Sequence, residues 1–224
     1  MKNYFQNYME AIQNPLPELK RTFDAEKDYL IKALQNIGKC ANGECTNVID
    51  IGCGIGRPLY HLAGKFPSVQ FFGIEDDSKM LTEALKRTSE FMNINIKYAD
   101  ALNTKFPDDY FSLTYSTFNL IGSIGLDERI SLLKETKRIT KPGSQIRTIT
   151  WNKENYTTEF LQKYYPTIGI TIYDIGNNRT VTNKGTFYRF GGEELKETYN
   201  KVGLTNNQLV EIGDLWLAIE GGKI

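Results

Sequence analysis

Glycine recurs at alternate positions in Asp50-Ile51-Gly52-Cys53-Gly54-Ile55-Gly56, directly after the apolar run Asn47–Ile51. Residues without a Cβ take left-handed backbone conformations and let the chain approach a ligand closely. A helix that starts just beyond, at Arg57-Pro58, adds free N–H groups to the same turn. Such a loop suits a nucleotide-type cofactor. A dinucleotide wants G-x-G-x-x-G, which seats its pyrophosphate on the helix terminus. Here the spacing is Gly52-x-Gly54-x-Gly56 and Arg57 holds the place of the last glycine, so a nicotinamide cofactor fits poorly.

Other chemistries have less support. His61 is the only histidine, and Cys40 and Cys45 lack paired cysteine or histidine partners, so no metal site is expected. Cys53 reads as a small loop residue with nothing nearby to make it a nucleophile. His61 falls on the far side of the glycine loop and reads as structural. An odd number of cysteines suggests reduced thiols in a cytoplasm. Acids and bases balance at 27 each, which gives no global field toward nucleic acid or an anionic membrane. No apolar stretch reaches the length of a signal peptide or a membrane span. Neither a nucleic-acid nor a membrane partner is expected.

The loop needs elements to hold it, and 224 residues suffice for one large α/β domain. Leu19, Phe23, Glu26, Tyr29, Leu30, Ala33, Leu34 and Ile37 keep helical spacing, with Gly38 as a C-cap. Beyond the loop, Arg57–Lys65 reads as a helix and Gln70–Ile74 as a strand. A helix capped by Asp77 or Ser78 then runs toward Phe91. Asn95–Tyr98 and Tyr110–Tyr115 read as strands, Asp127–Thr140 as a helix stopped by Lys141-Pro142-Gly143, and Ser144–Trp151 as a strand. This alternation predicts a mainly parallel sheet with helices on both faces. Residues 152–190 break the pattern, being aromatic and β-branched with a hairpin turn at Gly176-Asn177-Asn178. Gly192–Val202 resumes as a helix, and Leu209–Ile212 and Leu215–Ile219 read as a closing pair of strands. One domain is expected: an N-terminal helical cap (1–46), a cofactor core (47–151), an inserted lid (152–190) and a closing helix with strands (191–224).

The stretch Val48–Gly56 resembles motif I of the class I S-adenosylmethionine-dependent methyltransferases, an acid followed by G-x-G-x-G. The resemblance continues in order through Gly73-Ile74-Glu75-Asp76-Asp77, Tyr98-Ala99-Asp100-Ala101, Phe106-Pro107-Asp108-Asp109-Tyr110-Phe111 and Arg138-Ile139-Thr140-Lys141-Pro142-Gly143. It covers residues 47–151. The family's fold is doubly wound and Rossmann-like, with seven mainly parallel strands and an antiparallel last strand. Its cofactor is S-adenosyl-L-methionine, and its product S-adenosyl-L-homocysteine.

The resemblance assigns Glu75 to both ribose hydroxyls, and a carboxylate can indeed accept two hydrogen bonds from a vicinal diol. It assigns Asp100 to the adenine amino group and Ala101 to the ring face. Asp76 is carried as a further candidate, although Asp76 and Asp77 also read as solvated or helix-capping. Asp50 has a family role near the methionine amino group, and its other reading is a carboxylate that only orients the loop. Arg57 reads either as a partner of the methionine carboxylate or as a surface arginine. Gly52, Cys53, Gly54 and Gly56 complete the cofactor set, with Ser116 and Phe118 after the fourth strand.

Methyl transfer from a sulfonium is an in-line displacement, so proximity and alignment suffice and no catalytic residue is assigned. In this fold the acceptor lies over strands four and five, which points to Asn119 and Trp151. Tyr4 and Tyr8 are expected to close the site from above. Tyr164, Tyr165, Tyr173, Tyr188 and Arg189 are the lid candidates. Tyrosine faces suit an apolar or cationic acceptor. The strand-four stretch Ser116-Thr117-Phe118-Asn119 lacks the [DNS]-P-P-[YFW] of amino-methylating DNA enzymes, and no Pro-Cys pair exists for cytosine-C5 chemistry. A small-molecule N or O acceptor is the expectation, on a monomer or homodimer. C-methylation of a quinone-like ring, an RNA or protein acceptor, polyamine synthesis on the same fold, and a silent cofactor-binding protein are the alternatives.

Overall fold

A computed structural model describes residues 3–37 and 46–223. The C-cap proposed at Gly38 and the thiols of Cys40 and Cys45 lie outside the described residues. Helices α1 (Tyr4–Gln13) and α2 (Pro17–Asn36) precede strand β1 (Thr46–Ile51). Then come α3 (Arg57–Ala63), β2 (Val69–Glu75), α4 (Ser78–Arg87), β3 (Ile94–Tyr98) and β4 (Phe111–Ser116). A short α5 (Leu120–Ser123), α6 (Leu126–Ile139) and β5 (Thr140–Trp151) complete the alternating core. The insertion folds as α7 (Thr158–Thr167) and strands β6 (Ile172–Ile175), β7 (Arg179–Thr182) and β8 (Gly185–Tyr188). Helix α8 (Gly192–Lys201), β9 (Thr205–Ile212) and β10 (Trp216–Gly222) close the chain.

The main sheet has seven strands in the order β3-β2-β1-β4-β5-β10-β9. β1 through β5 pair in parallel, and β10 runs antiparallel to both β5 and β9. This is the Rossmann-like methyltransferase sheet that the resemblance implies. Strand periodicity sorts the core into two layers. Val48, Leu113, Tyr115, Ile149 and Trp216 face one side with Leu19, Phe23, Leu30 and Leu59 of the helices. Ile49, Ile51, Ile74, Phe111, Ile146 and Ile219 face the other with Leu132, Leu133, Leu195 and Tyr199. Asp50 shares the face of Val48, so it points at α2.

Three differences from the sequence reading have physical causes. Lys141-Pro142-Gly143, expected to end a turn before the strand, lies inside β5. Gly143 is left-handed there, at φ 75°, and the register against β4 shifts between Phe111 and Leu113, so the tripeptide is absorbed as a bulge. Helix α4 stops at Arg87, with the backbone N–H of Thr88 closing on Ala84. The insertion contains a full helix, α7, which its aromatic composition hid. Thr157 caps it by accepting from Phe160 N, and Phe160, Leu161, Tyr164 and Tyr165 form its buried face. The hairpin at 176–178 is present between β6 and β7.

Candidate functional site

The strand order reverses direction between β1 and β4, and a cavity of about 440 Å³ opens beside the carboxyl ends of β1, β2 and β4. In open α/β sheets that is where ligands bind. The volume is in the range of small-molecule and cofactor sites. The glycine loop and the ends of β2 and β3 form one half of its wall. Phe118, Trp151, α1 and the lid form the other.

Three loop glycines are left-handed, at φ 69° for Gly52, 55° for Gly54 and 70° for Gly56. Gly54 faces open space, while a Cβ at Gly56 would press on Ala84 and Thr88 of α4 at 3.3 Å. Gly56 therefore serves the close approach of loop to helix, and it does not line the cavity. Cys53 is buried and its N–H donates to Ile74 O at 2.9 Å, stitching the loop to β2. Burial pushes its thiol well up, which agrees with an inert loop residue.

Glu75 ends β2 and reaches back under the loop. Its Oε2 accepts from Gly54 N at 2.8 Å, and its Oε1 accepts from Asp76 N and Asp77 N at 3.1 and 3.0 Å. Burial raises its pKa, with those N–H groups pulling the other way. A carboxylate offers about four lone-pair sites, so acceptor capacity remains toward the cavity that Glu75 lines. Asp76 is exposed and lines the cavity too, and Asp77 caps α4 through Lys79 N and Met80 N. Asp100 is exposed, accepts from Leu102 N at 2.8 Å, and joins Ala99, Ala101 and Leu102 along the wall.

Asp50 and Arg57 both lie close to Glu26 of α2. Asp50 is fully buried and does not line the cavity; both its oxygens lack a well-formed hydrogen bond among the described residues. Burial raises its pKa well above the carboxylate range, the charges of Glu26 and Glu75 add to this, and the nearby Tyr115 hydroxyl favours the ionised form. Arg57 is not a surface arginine. It pairs with buried Glu26 of α2, its guanidinium sits 4.0 Å over the Phe23 ring, and it still lines the cavity.

The second half of the wall is aromatic. Phe118 is its centre, with ring centroids 6.2 Å from Tyr8, 5.8 Å from Phe23, 5.7 Å from Trp151 and 5.6 Å from Trp216. Phe118 and Asn119 are consecutive left-handed residues, at φ 52° and 70°. Strain of this kind gathers at functional sites. Asn119 Oδ1 accepts from the Thr150 hydroxyl and, at 3.4 Å, from Trp151 N, which ties the end of β4 to β5. Tyr4 and Tyr8 descend from α1, and Tyr164 and Tyr165 from α7. Burial raises all four phenols, Tyr165 to about 12, so none is ionised near neutral pH.

Several expected contacts are absent. Ser116 is buried behind the wall, and Thr117 lines the cavity in its place. Tyr173 is 68% exposed on β6. Arg189 is buried in the lid, where it donates to Thr180 Oγ1 and to the carbonyls of Gly176 and Arg179. Tyr188 packs under the Arg129 guanidinium at 4.4 Å. Phe187 and Ile168 reach the cavity instead. The helical period of 158–167 was the signal that would have found the α7 residues. Nothing local in the sequence distinguishes Phe187 from Tyr188, because strand register in the lid decides it. His61 is exposed on α3, outside the cavity. Among the described residues no cluster of three potential metal ligands occurs.

The Methyltransferase domain family profile matches residues 48–143. The chain is 30% identical over 111 residues to the chloroplastic tocopherol O-methyltransferase of Arabidopsis thaliana, covering 48% of this chain and 31% of that one. The chain thus spans about a third of the length of that relative. It is 25% identical over 193 residues to the demethylmenaquinone methyltransferase of Staphylococcus aureus, covering 83% and 77%. A SAM-dependent methyltransferase from Aquifex aeolicus shares the fold over all of both chains, at a TM-score of 0.68 and 17% identity. Residues 48–143 are thus matched by a methyltransferase domain, on a sheet order and glycine loop shared with the S-adenosylmethionine-dependent methyltransferase fold.

Proposed function

We propose that the chain binds S-adenosyl-L-methionine and transfers its methyl group to a small-molecule N or O acceptor. One observation carries this: Glu75, Asp100 and the glycine loop line one end of a cavity whose other end is aromatic. Glu75 would hold the ribose hydroxyls, Asp100 the adenine amino group, and Ala101 the ring face. The bound cofactor would supply an electrophilic methyl group. The chain's own work is alignment and exclusion of water, through Phe118, Trp151, Tyr8 and Tyr164, and a well-aligned pair of reactants gains several orders of magnitude in rate. Aromatic faces also favour a passing cation. No histidine lines the cavity among the described residues, and α6 brings one carboxylate to it, Glu128, which accepts from Gly125 N at 2.7 Å.

A second reading, C-methylation of a quinone-like ring, is favoured by the demethylmenaquinone methyltransferase match over most of both chains. A panel of amines, phenols, carboxylic acids and hydroquinones, scored by release of S-adenosylhomocysteine, separates the two. The new methyl group is then located in the product by NMR: a methyl on N or O supports the first, and a methyl on a ring carbon of the hydroquinone replaces it with the second.

A further inference from the structure

Glu26 lies in the middle of α2, and its neighbours along the buried face of that helix are mostly apolar: Leu19, Phe23, Leu30 and Ala33. Its side chain is 1% exposed and pairs with Arg57, which is 12% exposed. A buried ion pair is no aid to stability in itself, because desolvation offsets the attraction and an apolar pair of similar volume does as well. Folding alone therefore gives no reason for a carboxylate here. The arrangement does something else: it fixes where the guanidinium sits. Arg57 is held from one side by Glu26 Oε2 and from another by the Phe23 ring. Glu26 is its only hydrogen-bond partner among the described residues, although guanidinium carries five donors. Arg57 lines both the small recess it shares with Glu26 and the main cavity beside Gly54.

We propose that Glu26 is a positioning residue for the amino-acid end of the methyl donor, holding Arg57 at the glycine loop so that its free donors meet the donor's carboxylate. The proposal rests on the reading of the cofactor given above. Arginine suits the task because its planar fork matches a carboxylate and keeps its charge. Glu26 contributes at a distance: without it the guanidinium has only the Phe23 face to define its position, and its rotamer freedom returns. The N-terminal cap is thereby part of the cofactor site, although no glycine-loop motif reaches it.

The test compares two ligands. S-adenosylhomocysteine carries the amino-acid end, and 5′-methylthioadenosine shares the adenosine and thioether but lacks it. Calorimetric dissociation constants are measured for the native chain, Glu26→Gln, Arg57→Gln and the double variant. Partial unfolding of a variant weakens both ligands by the same factor, so the ratio of their dissociation constants isolates the amino-acid end. Glu26→Gln and Arg57→Gln are each expected to weaken S-adenosylhomocysteine about tenfold, the size of one charge-assisted hydrogen bond, and to leave 5′-methylthioadenosine within about twofold. The double variant is expected to be no weaker than Arg57→Gln alone. Equal weakening of both ligands would mean a purely structural ion pair and overturn the proposal, as would unchanged S-adenosylhomocysteine binding in Glu26→Gln. A native chain that binds neither ligand overturns the cofactor reading itself, which is a separate outcome.

Discussion

The N–H of Gly54 donates to Glu75 Oε2 at 2.8 Å, across the gap between the loop after β1 and the end of β2. One carboxylate therefore shapes the glycine loop and faces the cavity. Glu75→Ala is expected to weaken S-adenosylhomocysteine on the order of 100-fold, since charge-assisted hydrogen bonds to the ligand and the loop shape go together. Glu75→Gln keeps an acceptor for Gly54 N and should lose less. Calorimetry on both variants checks the order.

Asp50 is expected to stabilise the protein when neutralised. Its folded pKa lies above the unfolded value because burial and the neighbouring Glu26 and Glu75 disfavour its charge. Such a group favours the fold below the unfolded pKa, and that contribution is lost as pH rises through the folded one. Asp50→Asn should therefore melt higher than the native chain at pH 8, and the gain should vanish as pH falls toward 4. For a chain of this size each 1 kcal/mol moves Tm by about 2–4 °C. Thermal melts across that range decide it.

Glu135 carries the opposite sign. Its carboxylate accepts from Arg138 at 2.7 and 2.8 Å and from Thr104 N and Oγ1 at 2.8 and 2.7 Å, which tethers the loop after β3 to α6. Arg138 above all, then Thr104, holds its pKa down to about 2 against the cost of burial. The stability it contributes is present above the usual glutamate pKa of about 4.3 and is lost as pH falls toward about 2. Glu135→Gln should lower Tm at pH 7, and the deficit should shrink below pH 4.

Asn119 separates strain from bonding. Its αL backbone costs little for Asn or Gly and roughly 1 kcal/mol for Ala. Asn119→Gly loses only the bonds to Thr150 and Trp151 N, whereas Asn119→Ala loses the bonds and keeps the strain. Denaturant unfolding should place Ala below Gly by about that difference.

These variants also show what local sequence can carry. The loop glycines, Glu75 and Asp100 could be placed on one cavity because parallel strands of fixed rise bring the ends of β1, β2 and β3 to one edge. The lid could not be read residue by residue. Tyr188 and Arg189 are aromatic and cationic like any site residue, yet Arg129 and the lid hairpin take them up. Asp50 was ambiguous because its face depends on strand phase, which puts it toward α2. The pairing of Glu26 with Arg57 spans 31 residues and two elements, and no spacing rule reports it.

The central claim is the identity of the cofactor, and calorimetric titration of the native chain with S-adenosylmethionine, S-adenosylhomocysteine and NAD tests it most directly. The expected result is micromolar binding of the first two, about −8 kcal/mol at 1 μM, with no heat from NAD beyond dilution. Binding of NAD without either sulfur ligand would contradict it.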